Sequence, residues 1–132
     1  MVKIIKCAAF LLLKNGLMLV EKRADTKKVY SGVIAIPGGT FEEGETAEQA
    51  AMREIREELD VEPISMTFLG IETDKHAYLP DSIFEIHYFK VEEWKGTIKK
   101  LEAAELKWIP IDNYKELAPK PDRDIVKKTL IL

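Results

Sequence analysis

The sequence has one cysteine, two histidines and no long apolar run, which limits disulfides, histidine metal sites and membrane spans. Cys7 is its only cysteine, so no disulfide framework is possible and a reducing, cytoplasmic location is expected. The two histidines, His76 and His87, are far apart in sequence and lack metal-ligand spacing. The apolar run CAAFLLL at residues 7–13 is much shorter than the roughly 20 residues of a transmembrane helix. We therefore expect no membrane span and no signal peptide, and a buried structural thiol at Cys7.

Residues with side-chain amides are also scarce, and the net charge of the chain is small. Glutamine occurs once and asparagine twice beside abundant lysine and glutamate, a weak thermophile tendency. The net charge of −3 gives no electrostatic reason to bind nucleic acid polymers or anionic membranes. With 46% hydrophobic and 33% charged residues over 132 positions, the chain is expected to form one soluble domain over residues 1–132. A phosphate-bearing partner must then be bound locally, by a few cations or a bound metal.

The order of predicted elements indicates an α/β or α+β fold with a mixed sheet between helices. Asn15-Gly16 supplies the positive φ angles of a tight turn between the first two strands. Pro37 is expected to stop the third strand. The predicted strands cover residues 3–13, 17–23, 33–39, 64–74, 82–94 and 105–111, and the helices 46–59, 112–117 and 122–130.

The helix over residues 46–59 has an unusually acidic face. Thr46 and Gln49 have the spacing of a capping box. Glu54, Glu57 and Glu58 fall within one arc of about 100°, and like charges at this spacing cost a few tenths of a kcal/mol per pair. A divalent cation would remove that repulsion, since carboxylate oxygens are ligands that Mg²⁺ prefers. The alternative is an ordinary solvated helix, for which exposed charge is the norm.

The spacing of charged residues and glycine in this region matches a longer pattern, G-x5-E-x7-R-E-U-x-E-E-x-D-U, where U is apolar. It comprises Gly39, Glu45, Arg53, Glu54, Ile55, Glu57, Glu58, Asp60 and Val61. The pattern resembles the signature of the Nudix hydrolases, except that glycine is usual where Asp60 stands. That position closes the helix in a left-handed conformation, which Asp tolerates better than most residues. We therefore expect a slightly less stable helix end and intact chemistry.

The resemblance implies a Nudix-type α/β/α sandwich, with the catalytic helix after a Gly-rich loop. It also implies a hydrolase that splits a diphosphate linkage in a nucleoside diphosphate joined to another group, with Mg²⁺ as cofactor and Mn²⁺ able to substitute. By the same resemblance, Glu54 and Glu57 are the first metal ligands, Glu58 is a third and the Gly38 carbonyl completes the set. One of these carboxylates would be the general base, and we favour Glu54. Arg53 and Glu45 are expected to orient the ligands through a salt bridge.

The rest of the chain is similar to the MutT-like branch, which acts on nucleoside triphosphates. The resemblance places Arg23 and Gly39 against the substrate, although Arg23 could be a surface residue. It suggests Glu102, with Glu105 as rival, as a further acidic ligand or base, and either could be ordinary loop charge. Asp122 matches the residue that reads the nucleobase edge, and its position also suits an N-cap of the last helix.

Three functions remain open at this point. The first is a Mg²⁺-dependent hydrolysis of nucleoside triphosphates, oxidised or non-standard ones among them, to monophosphate and pyrophosphate. The second is hydrolysis of dinucleoside polyphosphates, for which Tyr78 is weak support, or of nucleotide sugars such as ADP-ribose. The third is nucleotide binding without turnover, which the intact acidic set disfavours. The partner expected is a small nucleotide, and either a monomer or a homodimer is compatible with the sequence.

Overall fold

A computed structural model of the chain describes residues 1–26, 30–75 and 79–132, and its described strands form one mixed sheet. The strands are β1 (Lys3–Lys14), β2 (Leu17–Lys22), β3 (Ile34–Ala35), β4 (Gly38–Thr40), β5 (Glu62–Asp74), β6 (Ser82–Lys95) and β7 (Glu105–Pro110). The helices are α1 (Ala47–Leu59), α2 (Lys120–Thr129) and a 3-10 helix at Ile111–Glu116.

Strand β1 is the centre of the sheet. It pairs with β2 through a turn in which Asn15 and Gly16 have φ of 52° and 77°, as the sequence predicted. It runs parallel to β6 over ten residue pairs, from Lys3 beside Ser82 onward. The sheet order is β3-β2-β1-β6-β5, while β4 pairs with β1 and β7 with β2.

Both faces of β1 are covered, which explains its nearly continuous apolar sequence. Phe10 and Leu12 pack with Ile55 and Leu59 of α1 on one face. The alternate residues of β1 contribute to the core on the other face, together with residues of α2: Ala9, Leu11, Ile125 and Val126. The sheet therefore lies between two helical layers, and the α/β/α sandwich implied by the resemblance is confirmed.

Helix α1 begins and ends as predicted. Thr46 and Gln49 form the capping box, and Asp60 ends the helix with φ of 57°. The loop before β7 closes over this end, because the Lys99 and Leu101 amides donate to the carbonyls of Leu59 (2.9 Å) and Glu58 (3.2 Å). Two carbonyls that a helix end leaves unpaired are thus satisfied by residues that lie far along the chain.

Several predicted boundaries were wrong. The single strand expected over residues 33–39 is divided into β3 and β4 on either side of Pro37. The last helix begins at Lys120, with Pro119 as its N-cap, so Asp122 lies inside the first turn and the N-cap interpretation is incorrect. Pro121 lies in the first turn of this helix, where proline is tolerated because its missing N–H would have no partner. Among the described residues, every helix is too short and too polar to cross a bilayer.

Candidate active site

A cluster of carboxylates lies where α1 meets the loop before β7. One oxygen from each of Glu54, Glu57 and Glu102 lies within 4.8 Å of the others. Glu54 is only 9% exposed, while Glu57 and Glu102 face solvent. The predicted third ligand, Glu58, is buried on the same helix but lies outside this set of three. Glu102 joins the cluster, whereas its rival Glu105 begins β7 beside Lys22.

Arg53 connects the acidic residues. Its Nε and Nη2 donate to the two oxygens of Glu45 at 2.7 and 2.9 Å, which is the predicted ion pair in a bidentate form. Its Nη1 donates to Glu54 (2.8 Å) and Glu57 (3.1 Å), and Nη2 also donates to the Thr40 carbonyl (2.9 Å). One guanidinium therefore sets the positions of two carboxylates of the cluster and ties them to β4.

The electrostatics of the cluster reflect burial and crowding. Burial raises the pKa of Glu54, Arg53 counteracts this, and the charges of Glu57 and Glu102 raise the pKa further. The hydrogen bonds from Arg53 hold the pKa of Glu45 below its ordinary value. Negative charge is thus concentrated at the cluster beyond what Arg53 neutralises.

The glycines of β4 leave the space that Glu54 occupies. A Cβ atom at Gly39 would overlap the Glu54 carboxylate, and one at Gly38 would overlap the Ala8 carbonyl. Gly38 pairs with Ala9, and Gly39 pairs with Ala8, in an antiparallel ladder. The two glycines therefore allow β4 to pack between β1 and α1 and bring its backbone against the acidic cluster.

A cavity of about 270 Å³ is also lined by Gly39, which contacts Glu54 of the cluster. Its apolar floor includes Phe84 and Ile86 of β6 and Ala9 of β1. Arg23, which directly follows β2, also lines it, and its Nη1 lies 3.6 Å from Glu21 Oε1. The polar residues of its wall are Cys7, Arg23, Tyr30, Thr40, Asp74 and Asp122.

Asp122 is held firmly in this wall and is only 5% exposed. Its Oδ2 accepts the Ile36 amide at 2.9 Å, and its Oδ1 accepts the Tyr88 hydroxyl at 2.6 Å. Burial raises the pKa of Asp122 to about 6, although these two hydrogen bonds favour the ionised form. Asp122 therefore joins α2 to the backbone just before β4.

The sequence predictions missed two residues of the cavity, Tyr30 and Asp74. Each is an ordinary polar residue in the sequence, and only the register of β5 against β6 shows that Asp74 lies beside Phe84. Cys7, predicted to be buried, is half-buried at the cavity wall, where burial raises its pKa to about 11. His76 and Tyr78 lie outside the described residues. His87, expected in the core or at its rim, contacts Glu85 and Phe41 away from the acidic cluster.

The donors of the cluster fit a hard divalent cation. They are carboxylate oxygens from two elements, partly buried and close together, which is the chemistry that Mg²⁺ and Mn²⁺ prefer. The fold and this arrangement are those of a Nudix domain. The chain matches the NUDIX domain family over residues 5–129, and it belongs to that family.

Individual relatives agree with this assignment. The chain is 36% identical over 72 residues to an 8-oxo-dGTP diphosphatase of Proteus vulgaris, covering 54% of this chain and 62% of that protein. It is 29% identical over 108 residues to an ADP-ribose pyrophosphatase of Methanocaldococcus jannaschii, covering 79% and 60%. A solved MutT protein from Methanosarcina mazei Go1 superposes with a TM-score of 0.84 over 96% of this chain and 93% of that one, at 18% identity. The alignments span less than two thirds of each curated relative.

Proposed function

We propose that the protein is a Mg²⁺-dependent pyrophosphohydrolase that converts nucleoside triphosphates, oxidised or non-standard ones among them, to monophosphate and pyrophosphate. The observation that carries this proposal is that the acidic cluster and the cavity share Gly39 as a common wall. A ligand with its base in the cavity would direct its phosphates past Gly39 toward the carboxylates. The membership in the Nudix family and the 8-oxo-dGTP diphosphatase relative support the same reaction.

The residues of the site would have different roles in the reaction. Bound Mg²⁺ would supply charge neutralisation for the phosphates and lower the pKa of a coordinated water. Glu54, Glu57 and Glu102 would hold it, with Glu58 and the Gly38 carbonyl as the further ligands implied by the family. Glu54 is our choice for the general base, because it is the most buried of the cluster and lies against Gly39. Proton transfer to a positioned carboxylate contributes typically 10²–10⁴-fold to such rates.

The positions of ligand and substrate would be fixed by the surrounding charges. Arg53 and Glu45 orient Glu54 and Glu57 through the bidentate ion pair. Arg23 lines the cavity next to the Gly-rich strand, where its guanidinium would bind substrate phosphate. Asp122 would read the base, since an ionised carboxylate accepts hydrogen bonds from the amino and imino groups of guanine-like or cytosine-like rings.

A second candidate substrate is ADP-ribose or a related nucleotide sugar. It is favoured by the longer alignment with the ADP-ribose pyrophosphatase, 108 residues against 72 for the 8-oxo-dGTP diphosphatase. Both substrates contain a diphosphate that a metal bound at the same acidic cluster could bind. The two substrates differ in the group that is attached to the diphosphate.

A substrate panel with full product identification tests these alternatives. Nucleoside triphosphates, dinucleoside polyphosphates and ADP-ribose would each be incubated with and without Mg²⁺. Monophosphate plus pyrophosphate from a triphosphate supports our first proposal, whereas AMP plus ribose phosphate as the main activity supports the second. Binding of nucleotides without any turnover would contradict both and identify a binding protein.

A further inference from the structure

Two aspartates that line the cavity, Asp122 and Asp74, each accept a hydrogen bond from a tyrosine. The Tyr88 hydroxyl donates to Asp122 Oδ1 at 2.6 Å, and the Tyr30 hydroxyl donates to Asp74 Oδ2 at 2.7 Å. Asp122 belongs to α2 and Asp74 to the end of β5, so the carboxylates approach the cavity from different elements. Each phenol holds its carboxylate in one orientation, which prepares it to accept a further hydrogen bond.

The hydrogen bonds that join the described residues leave acceptor positions on Asp74 unused. An ionised carboxylate has about four acceptor positions. Within residues 1–26, 30–75 and 79–132, the Tyr30 hydroxyl is the hydrogen-bond donor that reaches the Asp74 side chain. The side chain is half-buried, so a ligand group that contacts it would displace little bulk water.

The charge in this part of the cavity selects against phosphate and for N–H donors. Burial raises the pKa of Tyr30, and the hydrogen bond to Asp74 and the charges of Asp74 and Asp122 raise it further, so both carboxylates lie near the Tyr30 hydroxyl. Arg23 is the cationic residue among the described residues that line the cavity. A phosphate group would be repelled beside Asp74 and Asp122, whereas a neutral ring with amino and imino groups would satisfy the two carboxylates.

We propose that Asp74, oriented by Tyr30, is a second base-reading residue, and that with Asp122 it selects a nucleobase carrying N–H donors on two edges. This inference rests on the proposed function, because it assumes that the cavity receives a base. Guanine oxidised at C8 carries N1–H and its 2-amino group on one edge and N7–H on another. Unmodified guanine presents N7 as an acceptor, and a carboxylate facing it would be repelled.

Asp74→Asn tests this role, because Asn keeps an oxygen for the Tyr30 hydroxyl but replaces an acceptor with an amide. Two ratios of kcat/KM would be measured, 8-oxo-dGTP to dGTP for the N7–H edge and dGTP to dITP for the 2-amino group. We expect Asp74→Asn to lower one ratio by at least about tenfold and Asp122→Asn to lower the other, as the loss of a hydrogen bond to a charged group predicts. Equal losses for all nucleotides, unchanged ratios, or the same ratio altered by both variants would overturn the proposal.

Glu72→Gln is the matched control. It removes the same charge from β5 two residues earlier, where Glu72 binds Lys128 outside the cavity lining. Both ratios should stay at the wild-type value. If Glu72→Gln alters them as Asp74→Asn does, the effect comes from the general field of the strand, and Asp74 does not read the base.

Equilibrium binding separates this inference from the proposed function. Calorimetry with dGMP and 8-oxo-dGMP, in the absence of metal, needs no turnover. Absence of triphosphate hydrolysis by the wild type would refute the proposed function alone. Wild-type affinity of Asp74→Asn for both monophosphates would refute the role of Asp74. Tyr30→Phe keeps the Asp74 carboxylate but removes the hydrogen bond that orients it, so this variant should weaken the same preference by a smaller factor. An unchanged preference would show that Tyr30 does not orient Asp74.

Discussion

Replacing Arg53 by lysine tests how far the geometry of the acidic cluster depends on one guanidinium. Arg53 makes five hydrogen bonds, to Glu45 twice and to Glu54, Glu57 and the Thr40 carbonyl. A lysine ammonium has three donors and no planar fork, so at least two of these bonds are lost. The bidentate pair with Glu45 cannot be reproduced.

The expected loss is larger for activity than for stability. The Arg53 side chain is 21% exposed and Glu57 is half exposed, so solvent screening limits the stability cost to about 1–2 kcal/mol. This corresponds to a fall in Tm of roughly 4–8 °C for a domain of this size. Residues that orient metal ligands typically contribute 10–100-fold to metal affinity or activity, and we expect the Mg²⁺ concentration for half-maximal rate to rise by about that factor.

The assay is the initial rate of pyrophosphate release at a series of Mg²⁺ concentrations, with Tm measured on the same samples. Arg56→Lys is the control, since Arg56 on the same helix makes its bidentate pair with Glu62. Its Mg²⁺ dependence should match the wild type. If Arg53→Lys also has the Mg²⁺ dependence of the wild type, the guanidinium does not position the metal ligands and the role given to Arg53 is wrong.

Four further outcomes follow from the site. Glu57→Gln should abolish hydrolysis with Tm near the wild-type value, and near-normal turnover would remove Glu57 from the metal ligands. Gly39→Ala should reduce kcat by about 10-fold or more with little change in Tm, because its Cβ displaces the flexible Glu54 carboxylate; unchanged kcat would contradict this. Asp122→Ala should alter base preference more than the rate on a minimal substrate, and equal losses across bases would show that it reads nothing. Asp122 also affects stability, because its pKa is raised from 3.8 to about 6 in the folded protein. The protonated carboxyl therefore favours folding below pH 4, and this contribution to the free energy of unfolding is lost as the pH rises through 6. One pKa unit corresponds to about 1.4 kcal/mol, so the free energy of unfolding of the wild type should fall by up to about 3 kcal/mol relative to Asp122→Asn between pH 4 and pH 7. Urea unfolding at both pH values measures this, and a constant difference between the two proteins would refute the raised pKa.

Features set by local sequence were predictable. The capping box of Thr46 and Gln49 and the left-handed Asp60 depend on residues within one or two helical turns. The acidic pattern on α1 follows from spacing, and the pairing of Arg53 with Glu45 was implied by the family resemblance. The Asn15-Gly16 turn belongs to the same class.

Features set by tertiary contact could not be derived from local sequence. The family resemblance suggested Glu102, but its place in the cluster depends on the Lys99 and Leu101 amides, which donate to the last carbonyls of α1, and local sequence does not show that contact. Asp122 suited an N-cap by sequence, but the helix begins earlier at Lys120, so its carboxylate lies within the first turn and binds Tyr88 and Ile36. Asp74 enters the cavity through strand register, which residue types do not specify.

We propose that the crowded carboxylates of α1 bind a divalent cation. Calorimetric titration of Mn²⁺ into the wild type, Glu57→Gln and Glu48→Gln tests it directly, since Glu48 lies exposed on the same helix outside the cluster. We predict that the wild type and Glu48→Gln bind Mn²⁺ equally and that Glu57→Gln binds it at least about tenfold more weakly. Equal affinity of all three proteins, or no binding by the wild type, would contradict the claim.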